Sequence, residues 1–340
     1  MNFDRAAGYY DATRALPAST MARLVGLLSG EISGRQPCLE IGVGTGRFAL
    51  PLAAAGIAMA GSDISGAMLG RLAANAGGRS PLPLVQADAT RLAFRAGSFG
   101  SVLAVHVLHL IPDWRIAVDE AVRALRPGGA LIASFPMDNR PASGSGPSAG
   151  GSDVSSVGLT GDLGLTRDLG LTRDKGAPWA EAVREASRRH GMVRPSIGAG
   201  DPAVVAAYLS GRATARQLDP VPVRSTVTLG EAIDHIDRQL FSWTWPYSAA
   251  QARAVAADVR AWAELGNVPL DTAHETETAS RWWAFELLPP SGGRSSSGGW
   301  RGARGALLAV IRGAFRTGAR PGRGSRGGCC RLPARGLPGG

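Results

Sequence analysis

The segment that most constrains the fold is a turn with three glycines at alternate positions. It follows the apolar run 38–41, which contains Glu40, and it precedes the helix-forming segment 47–55. Glycine allows φ > 0 and close approach of a ligand, and the N–H groups that begin a helix attract a carboxylate or phosphate. The pattern therefore predicts a strand, a ligand-binding turn and a helix. The glycines are Gly42, Gly44 and Gly46.

Two further apolar segments each end in an acid. Segment 57–62 precedes Asp63, and segment 82–87 precedes Asp88. Asp63 follows the glycine turn by about twenty residues, the spacing at which a second parallel strand ends beside the first turn. An acid there can accept both hydroxyls of a ribose, and an acid after the third strand can accept an adenine amino group. The two acids together favour an adenosine ligand over an ordinary turn or cap role for each.

The glycine spacing separates two families of nucleotide-binding fold. Dinucleotide-binding domains prefer G-x-G-x-x-G, whereas this chain has E-x-G-x-G-x-G, followed by Arg47 and Phe48, which does not fit that pattern. An NAD(P)-dependent oxidoreductase therefore stays an alternative that the spacing disfavours.

The pattern E-x-G-x-G-x-G resembles the first motif of class I S-adenosylmethionine (SAM)-dependent methyltransferases that modify small molecules. The similarity covers residues 3–135 well and 221–288 loosely. It implies an α/β, doubly wound, seven-stranded, mostly parallel Rossmann-like sheet with helical additions. The implied strand order is 3-2-1-4-5-7-6 with the last strand antiparallel, and we assign 221–229 and 281–288 as the sixth and seventh strands. Gly100 departs from the family, which usually has Asp there.

The resemblance also implies a SAM site. Tyr10 lies in an N-terminal arm that folds over the cofactor in many such enzymes, although an aromatic anchor for the arm is an equal alternative. The sequence Asp63-Ile64-Ser65 followed by Met68 is similar to a pattern that is frequent in this group. In that pattern the apolar residues lie against the adenine. The implied cofactor-binding residues are Tyr10, Glu40, Gly42, Gly44, Gly46, Asp63, Ile64, Met68, Asp88, Ala89 and Val105.

Methyl transfer from SAM is an in-line displacement that mainly requires two reactants to be held in line away from water. A nitrogen or oxygen acceptor still needs a base, and His109, then His106, lie after the fourth strand, where ligands sit in such sheets. A packed loop histidine and a plain aromatic core are the alternative interpretations. We predict His109 as catalytic, and an unidentified small-molecule acceptor bound by His106, Arg238, Phe241 and Trp243.

The net charge of +10 is concentrated at the C-terminus. Ten arginines and no acids lie from residue 289 onward, so the rest of the chain has equal numbers of basic and acidic residues. A basic stripe that tracks a nucleic acid across the folded body is therefore not indicated. A non-catalytic protein that binds RNA or a protein partner through this basic tail is the third alternative.

The chain divides at the same boundary. We predict a methyltransferase domain over 1–288, with a Gly/Ser/Pro-rich low-complexity insertion at 139–176, and a disordered Arg/Gly-rich tail over 289–340. No stretch approaches the roughly 18 apolar residues of a membrane span, and no secretory signal is visible. The three cysteines form no disulfide framework, which suits a reducing cytoplasm. No metal site is expected.

Overall fold

The computed structural model describes residues 3–135, 179–192 and 197–289. The predicted insertion at 139–176 lies outside these residues, as does the predicted tail except for Pro289. The two predictions, and the domain boundaries that depend on them, therefore stay predictions.

The described elements alternate between strand and helix through the first half of the chain. The strands are β1 (Cys38–Ile41), β2 (Met59–Asp63), β3 (Leu84–Gln86), β4 (Phe99–Val105), β5 (Leu125–Ser134), β6 (Ala213–Gln217), β7 (Val221–Thr228), β8 (Ala273–Ser280) and β9 (Trp282–Leu287). The α-helices are α1 (Tyr10–Arg14), α2 (Ala18–Ile32), α3 (Ala49–Ala54), α4 (Gly66–Asn75), α5 (Trp114–Ala124), α6 (Ala180–Arg189), α7 (Pro202–Tyr208), α8 (Leu229–Asp237) and α9 (Ala249–Leu265).

Within the described residues, seven strands form one sheet in the order β3-β2-β1-β4-β5-β9-β6. Strands β1 to β5 pair in parallel, and β9 runs antiparallel to both β5 and β6. This arrangement confirms the predicted fold class and the predicted order with an antiparallel last strand. It also brings the carboxyl ends of β1, β2 and β3 to one edge, as parallel pairing requires.

Helices cover both faces of the sheet, so the central strands are apolar on both sides. Alternate residues of β4 point to opposite faces: Val102 and Ala104 pack in the same core as α5, whereas Leu103 and Val105 pack in the core that contains α2. A third core joins α6, α8 and α9 and includes Trp179 and the aromatic pair at 241 and 243. The first two cores hold the strand ends in place.

The edge strand that pairs with β9 is not the strand that was predicted there. Segment 221–229 is a strand, β7, but it pairs with β8 in a separate two-stranded antiparallel sheet. The position beside β9 is taken by β6, whose sequence ATARQ is mostly exposed. An edge strand of this kind has no buried face and so shows no apolar alternation, whereas β7 does. Sequence periodicity therefore selected the wrong strand.

Gly100 differs from the usual Asp for a steric reason. A Cβ atom on Gly100 would lie 2.2 Å from the backbone oxygen of Arg35, which belongs to the short segment before β1. No side chain fits at that distance, because the neighbouring atom is backbone and cannot rotate away. The departure from the family pattern thus follows from a close approach of two backbones at the start of β4.

We therefore expect Gly100→Ala to destabilise the protein by at least about 1–3 kcal/mol, the usual cost of overpacking. The matched control is Gly26→Ala in α2, where nothing lies within 4 Å of the added Cβ and where helix propensity should add about 0.5–1 kcal/mol of stability. Thermal denaturation of both variants measures the contrast. Equal melting temperatures would contradict the close approach.

Candidate active site

A cavity, here called the strand-end cavity, opens at the carboxyl ends of β1 to β4. The described structure places nine of the predicted cofactor-binding residues on its walls and leaves two, Glu40 and Gly46, off them. The predicted residues on the wall are Tyr10, Gly42, Gly44, Asp63, Ile64, Met68, Asp88, Ala89 and Val105.

The glycine turn forms one wall of the strand-end cavity. Gly42, Gly44 and Gly46 all have positive φ, at 65°, 56° and 82°, a conformation that favours glycine over other residues. A Cβ on Gly46 would lie 2.7 Å from Leu72, so this glycine allows α4 to pack on the turn. A Cβ on Gly44 would meet nothing closer than 4.0 Å. The backbone at Gly44 is therefore the part of the turn that a ligand can approach.

Asp63 ties the tip of β2 to this turn. Its Oδ2 accepts the Gly44 N–H and its Oδ1 accepts the Ser65 N–H, both at 2.8 Å. Burial raises the pKa of Asp63, and these backbone hydrogen bonds oppose that rise. A carboxylate has about four lone-pair sites, so Asp63 can hold the turn and still accept hydroxyl groups from a ligand in the cavity.

Asp88 lies on the same cavity, beyond the end of β3. Its Oδ1 accepts both the N–H and the hydroxyl of Thr90 at 2.8 Å, which fixes the side chain in a local turn. The carboxylate is thus oriented by its own backbone rather than by a distant partner. Asp63 and Asp88 therefore lie on one cavity, as the strand-end pattern predicted.

Glu40 has a different environment from the other two acids. It is almost fully buried, and its Oε2 has no hydrogen-bond partner within the described residues. Burial, the largest cause, raises its pKa to about 8, although Arg47 and the Ala49 backbone lower it. An unpartnered buried carboxyl beside a ligand-binding turn fits a cationic ligand group, such as the ammonium of SAM. The structure nevertheless places Glu40 off the cavity wall.

The N-terminal arm is fixed to the body by two acids. Asp4 accepts hydrogen bonds from the Ser65 hydroxyl and the Ala67 N–H at the start of α4. Asp11 accepts from the Thr45 hydroxyl in the glycine turn, and also from Arg71 and Asn75 of α4. These bonds hold the arm across the strand-end cavity.

A second cavity, here called the adjoining cavity, lies between the arm, α8 and the small β7–β8 sheet. Phe3, Tyr10, His106 and Leu110 line both cavities. The two are therefore neighbours, separated by the arm and by the residues after β4.

The histidines after β4 occupy different places. His106 lines both cavities, whereas His109 lines only the adjoining one. The backbone of His106 has φ of 48°, a left-handed conformation that costs a non-glycine residue on the order of 1–3 kcal/mol and is frequent at functional sites. Its N–H donates to the Ser134 hydroxyl at 3.0 Å. His106 is thus held at the junction of the two cavities.

The other predicted acceptor-binding residues lie partly on the wall of the adjoining cavity and partly off it. Phe241 lines the adjoining cavity, but Trp243 and Arg238 do not. Trp243 is buried and stacks on Phe241 with ring centroids 6.4 Å apart, so it supports the wall from behind. Arg238 is exposed and pairs with Asp234 at 3.1 Å.

Sequence reasoning missed several residues of the adjoining cavity. The helix pattern of α8 gave no sign that His235 faces a cavity, and Arg281 directly precedes a strand that reads as plain core. Phe3, Arg14 and Arg47 lie in the recognised motifs but carried no signal for this role. The missed residues with polar or aromatic side chains include Phe3, Arg14, Arg47, His235 and Arg281.

Within the described residues, no group of three or more His, Cys, Asp or Glu is arranged to hold a metal ion. No helix in those ranges is long and apolar enough to cross a membrane.

The family model described as a methyltransferase domain matches residues 39–133. That range runs from β1 into β5 and includes the glycine turn, Asp63 and Asp88. The match confirms the resemblance to class I SAM-dependent methyltransferases that the motifs indicated.

Curated relatives match over a similar extent. The demethylmenaquinone methyltransferase of Beutenbergia cavernae is 32% identical over 133 residues, which is 38% of this chain and 54% of that protein. The uncharacterized protein Rv1405c of Mycobacterium tuberculosis is 32% identical over 94 residues, which is 27% of this chain and 34% of that protein. The chain spans about half the length of these demethylmenaquinone methyltransferases.

Among solved structures, the CcbJ methyltransferase of Streptomyces caelestis is 26% identical, with 40% of this chain and 57% of that chain covered and a TM-score of 0.35. A SAM-dependent methyltransferase of Thermotoga maritima is 14% identical, with 84% and 97% covered and a TM-score of 0.42.

The buried Glu40 makes stability depend on pH. Its pKa rises from 4.5 to about 8 on folding, so between these values the unfolded chain releases a proton that the folded chain keeps. The contribution of Glu40 to stability is therefore fully present below about pH 4.5 and is lost as the pH rises towards 8. Glu40→Gln should remove this loss, on the order of a few kcal/mol.

Denaturation of wild type and Glu40→Gln at pH 5 and pH 8 measures the effect, and Glu264→Gln, which alters an exposed glutamate, is the control. As the pH rises, we expect the free energy of unfolding of Glu40→Gln to increase relative to that of the wild type. The difference between Glu264→Gln and the wild type should stay constant. A constant difference between Glu40→Gln and the wild type would show that Glu40 does not stay protonated in the fold.

Proposed function

We propose that this chain, which carries a class I SAM-dependent methyltransferase domain, transfers the methyl group of SAM to a small-molecule acceptor. The observation that supports this most is the meeting of three strand ends on one cavity. The glycine turn after β1, Asp63 at the tip of β2 and Asp88 beyond β3 all line the strand-end cavity.

Each wall residue has a distinct role in holding SAM. Asp63 accepts the ribose hydroxyls, and Asp88 accepts the adenine amino group while the Ala89 N–H donates to the ring. Ile64 and Met68 contribute apolar contacts to the adenine. The turn around Gly44 admits the amino-acid part of the cofactor.

SAM supplies an activated methyl group on its sulfonium when it is bound, so the protein needs no covalent catalyst. The residues of the chain hold the two reactants in line and exclude water, and such positioning can supply on the order of 7–11 kcal/mol. Phe3 and Tyr10 serve this purpose, because both line the two cavities at once. Their rings meet edge to face with centroids 6.1 Å apart.

A nitrogen or oxygen acceptor must also lose a proton, and two histidines can accept it. His109 lies on the acceptor side only, whereas His106 lies at the junction of the cavities. We therefore propose His106 as the base or orienting group nearest to the transferred methyl, with His109 as the second candidate. A neutral imidazole is the form that acts.

The acceptor itself is proposed only as a class. Several relatives are named demethylmenaquinone methyltransferase, so demethylmenaquinone belongs in any acceptor screen with labelled SAM. A cytoplasmic location also stays a prediction, which rests on the pattern of cysteines.

Calorimetry tests the cofactor site. We expect the protein to bind SAM and not NAD. Asp63→Ala and Asp88→Ala should each weaken SAM binding by tens-fold, since a hydrogen bond to a charged group contributes about 1.5–3 kcal/mol. Asp88 is the cleaner position, because its Oδ1 bonds only Thr90.

Asp219→Ala, an exposed acid between β6 and β7, is the control and should leave SAM binding unchanged. Unchanged affinity in both site variants would remove these acids from the site. Tight NAD binding without SAM binding would favour the oxidoreductase alternative instead.

Once the screen gives an acceptor, kinetics test the histidines. His106→Gln should lower kcat by about 100-fold or more, the usual contribution of general base catalysis, with little change in SAM affinity. His109→Gln should have a smaller effect. A larger loss of kcat in His109→Gln would assign the base to His109, and no loss in either would exclude a histidine base.

A further inference from the structure

The two cavities that share Phe3 and Tyr10 carry opposite charge. The charged residues on the strand-end cavity are all acidic, with no arginine or lysine among the described residues that line it. SAM carries a sulfonium and an ammonium against one carboxylate, so an acidic cavity matches its net positive charge. The acids on this cavity are Asp63, Asp88 and Asp113.

The adjoining cavity is basic. Three arginines line it, against one carboxylate, that of Glu231. Glu231 already has a structural role, because its Oε2 accepts the Thr228 N–H at 2.8 Å in the capping box of α8. Glu231 is thus engaged in the helix cap, and the lining of this cavity has more arginines than carboxylates. The arginines, each of which is half-buried, are Arg14, Arg47 and Arg281.

Arg47 shows how this charge is presented. Its Nη1 donates to the Arg14 carbonyl at 2.7 Å, and its guanidinium lies over the ring of Phe48, 5.2 Å from the centroid. Among the described residues no carboxylate forms a salt bridge with it. A guanidinium has five N–H donors, and the one bond to Arg14 leaves donors for a ligand.

The carboxyl of Glu40 does not neutralise Arg47. The carboxyl of Glu40 acts on Arg47 through space, but burial raises the pKa of Glu40 to about 8. At neutral pH this carboxyl is therefore mostly protonated. The positive charge beside the glycine turn persists on the acceptor side.

Apolar rings form part of the wall of the adjoining cavity. Phe48, Phe135 and Phe241 line it, and the Arg14 guanidinium lies 5.8 Å from the centroid of Phe241. Aromatic walls beside fixed guanidinium groups suit a ligand with an apolar body and an anionic end, because arginine binds carboxylate and phosphate through paired N–H donors.

We propose that the adjoining cavity binds methyl acceptors that carry a carboxylate or phosphate, held by Arg47 with Arg14 and Arg281, while their apolar part packs on the phenylalanines. This assignment rests on the proposed methyltransferase function and names the chemical class of its acceptor. It also gives the two neighbouring cavities complementary occupants, a cationic cofactor and an anionic acceptor.

Three probes that share one ring system test the assignment: 2-naphthoate, 2-naphthyl phosphate and the neutral 2-naphthamide. Each is titrated into protein saturated with S-adenosylhomocysteine. We expect at least one anion to bind about tenfold or more tightly than the amide, with an affinity that falls as salt rises. The better of the two anions identifies the group that the cavity selects.

Arg47→Gln and Arg281→Gln should each remove about tenfold of this preference and leave the amide affinity unchanged. Arg224→Gln is the matched control: it lies on β7, which also lines the cavity, but Arg224 is exposed and off the cavity wall. It should keep the full preference.

The outcomes separate the two proposals. Failure of S-adenosylhomocysteine to bind overturns the proposed function. Normal binding of S-adenosylhomocysteine without a preference for either anion, including no binding of any probe, overturns only the anionic acceptor. Equal loss in Arg224→Gln and Arg47→Gln would assign the preference to general surface charge and likewise overturn it.

Discussion

The hydrogen bond from the Gly44 N–H to Asp63 is the contact on which the site depends. It joins the end of β2 to the turn after β1, and the second oxygen of Asp63 extends the connection to Ser65 and α4. Asp4 of the arm then binds Ser65. The half-buried Asp63 carboxylate thus links two strand ends and a helix start, Asp4 adds the N-terminal arm, and these bonds give the strand-end cavity its shape.

The arm makes two cavities out of one cleft. Phe3 and Tyr10 stand between a wall of aspartates and a wall of arginines, and the strained backbone at His106 meets them from the strand side. The proposed methyl transfer needs both reactants in contact, and the proposed cofactor and acceptor differ in charge. Phe3 and Tyr10 line both cavities, so the reactants can meet beside these rings while each charged group lies in its own cavity.

Much of this could be predicted from sequence. Glycines, strand-end acids and apolar runs are local signals, so the parallel strands and their order were predicted correctly. The acids at 63 and 88 lie on one cavity. Ser65 also caps α4, since its hydroxyl accepts the Met68 N–H at 3.1 Å. The edge strand β6 was missed because an exposed strand has no apolar face to show.

The basic cavity could not be predicted from the sequence, for a different reason. Its arginines come from the arm, the glycine turn and the start of β9, so only the folded chain brings them together. Aromatic periodicity likewise cannot separate a cavity wall from the core behind it, which is why Trp243 was predicted at the cavity and lies beneath Phe241.

The most direct measurement is a crystal structure with S-adenosylhomocysteine. Ribose hydroxyls within hydrogen-bond distance of Asp63, with the adenine amino group at Asp88, are the predicted result; a ligand bound away from these two carboxylates would contradict the account.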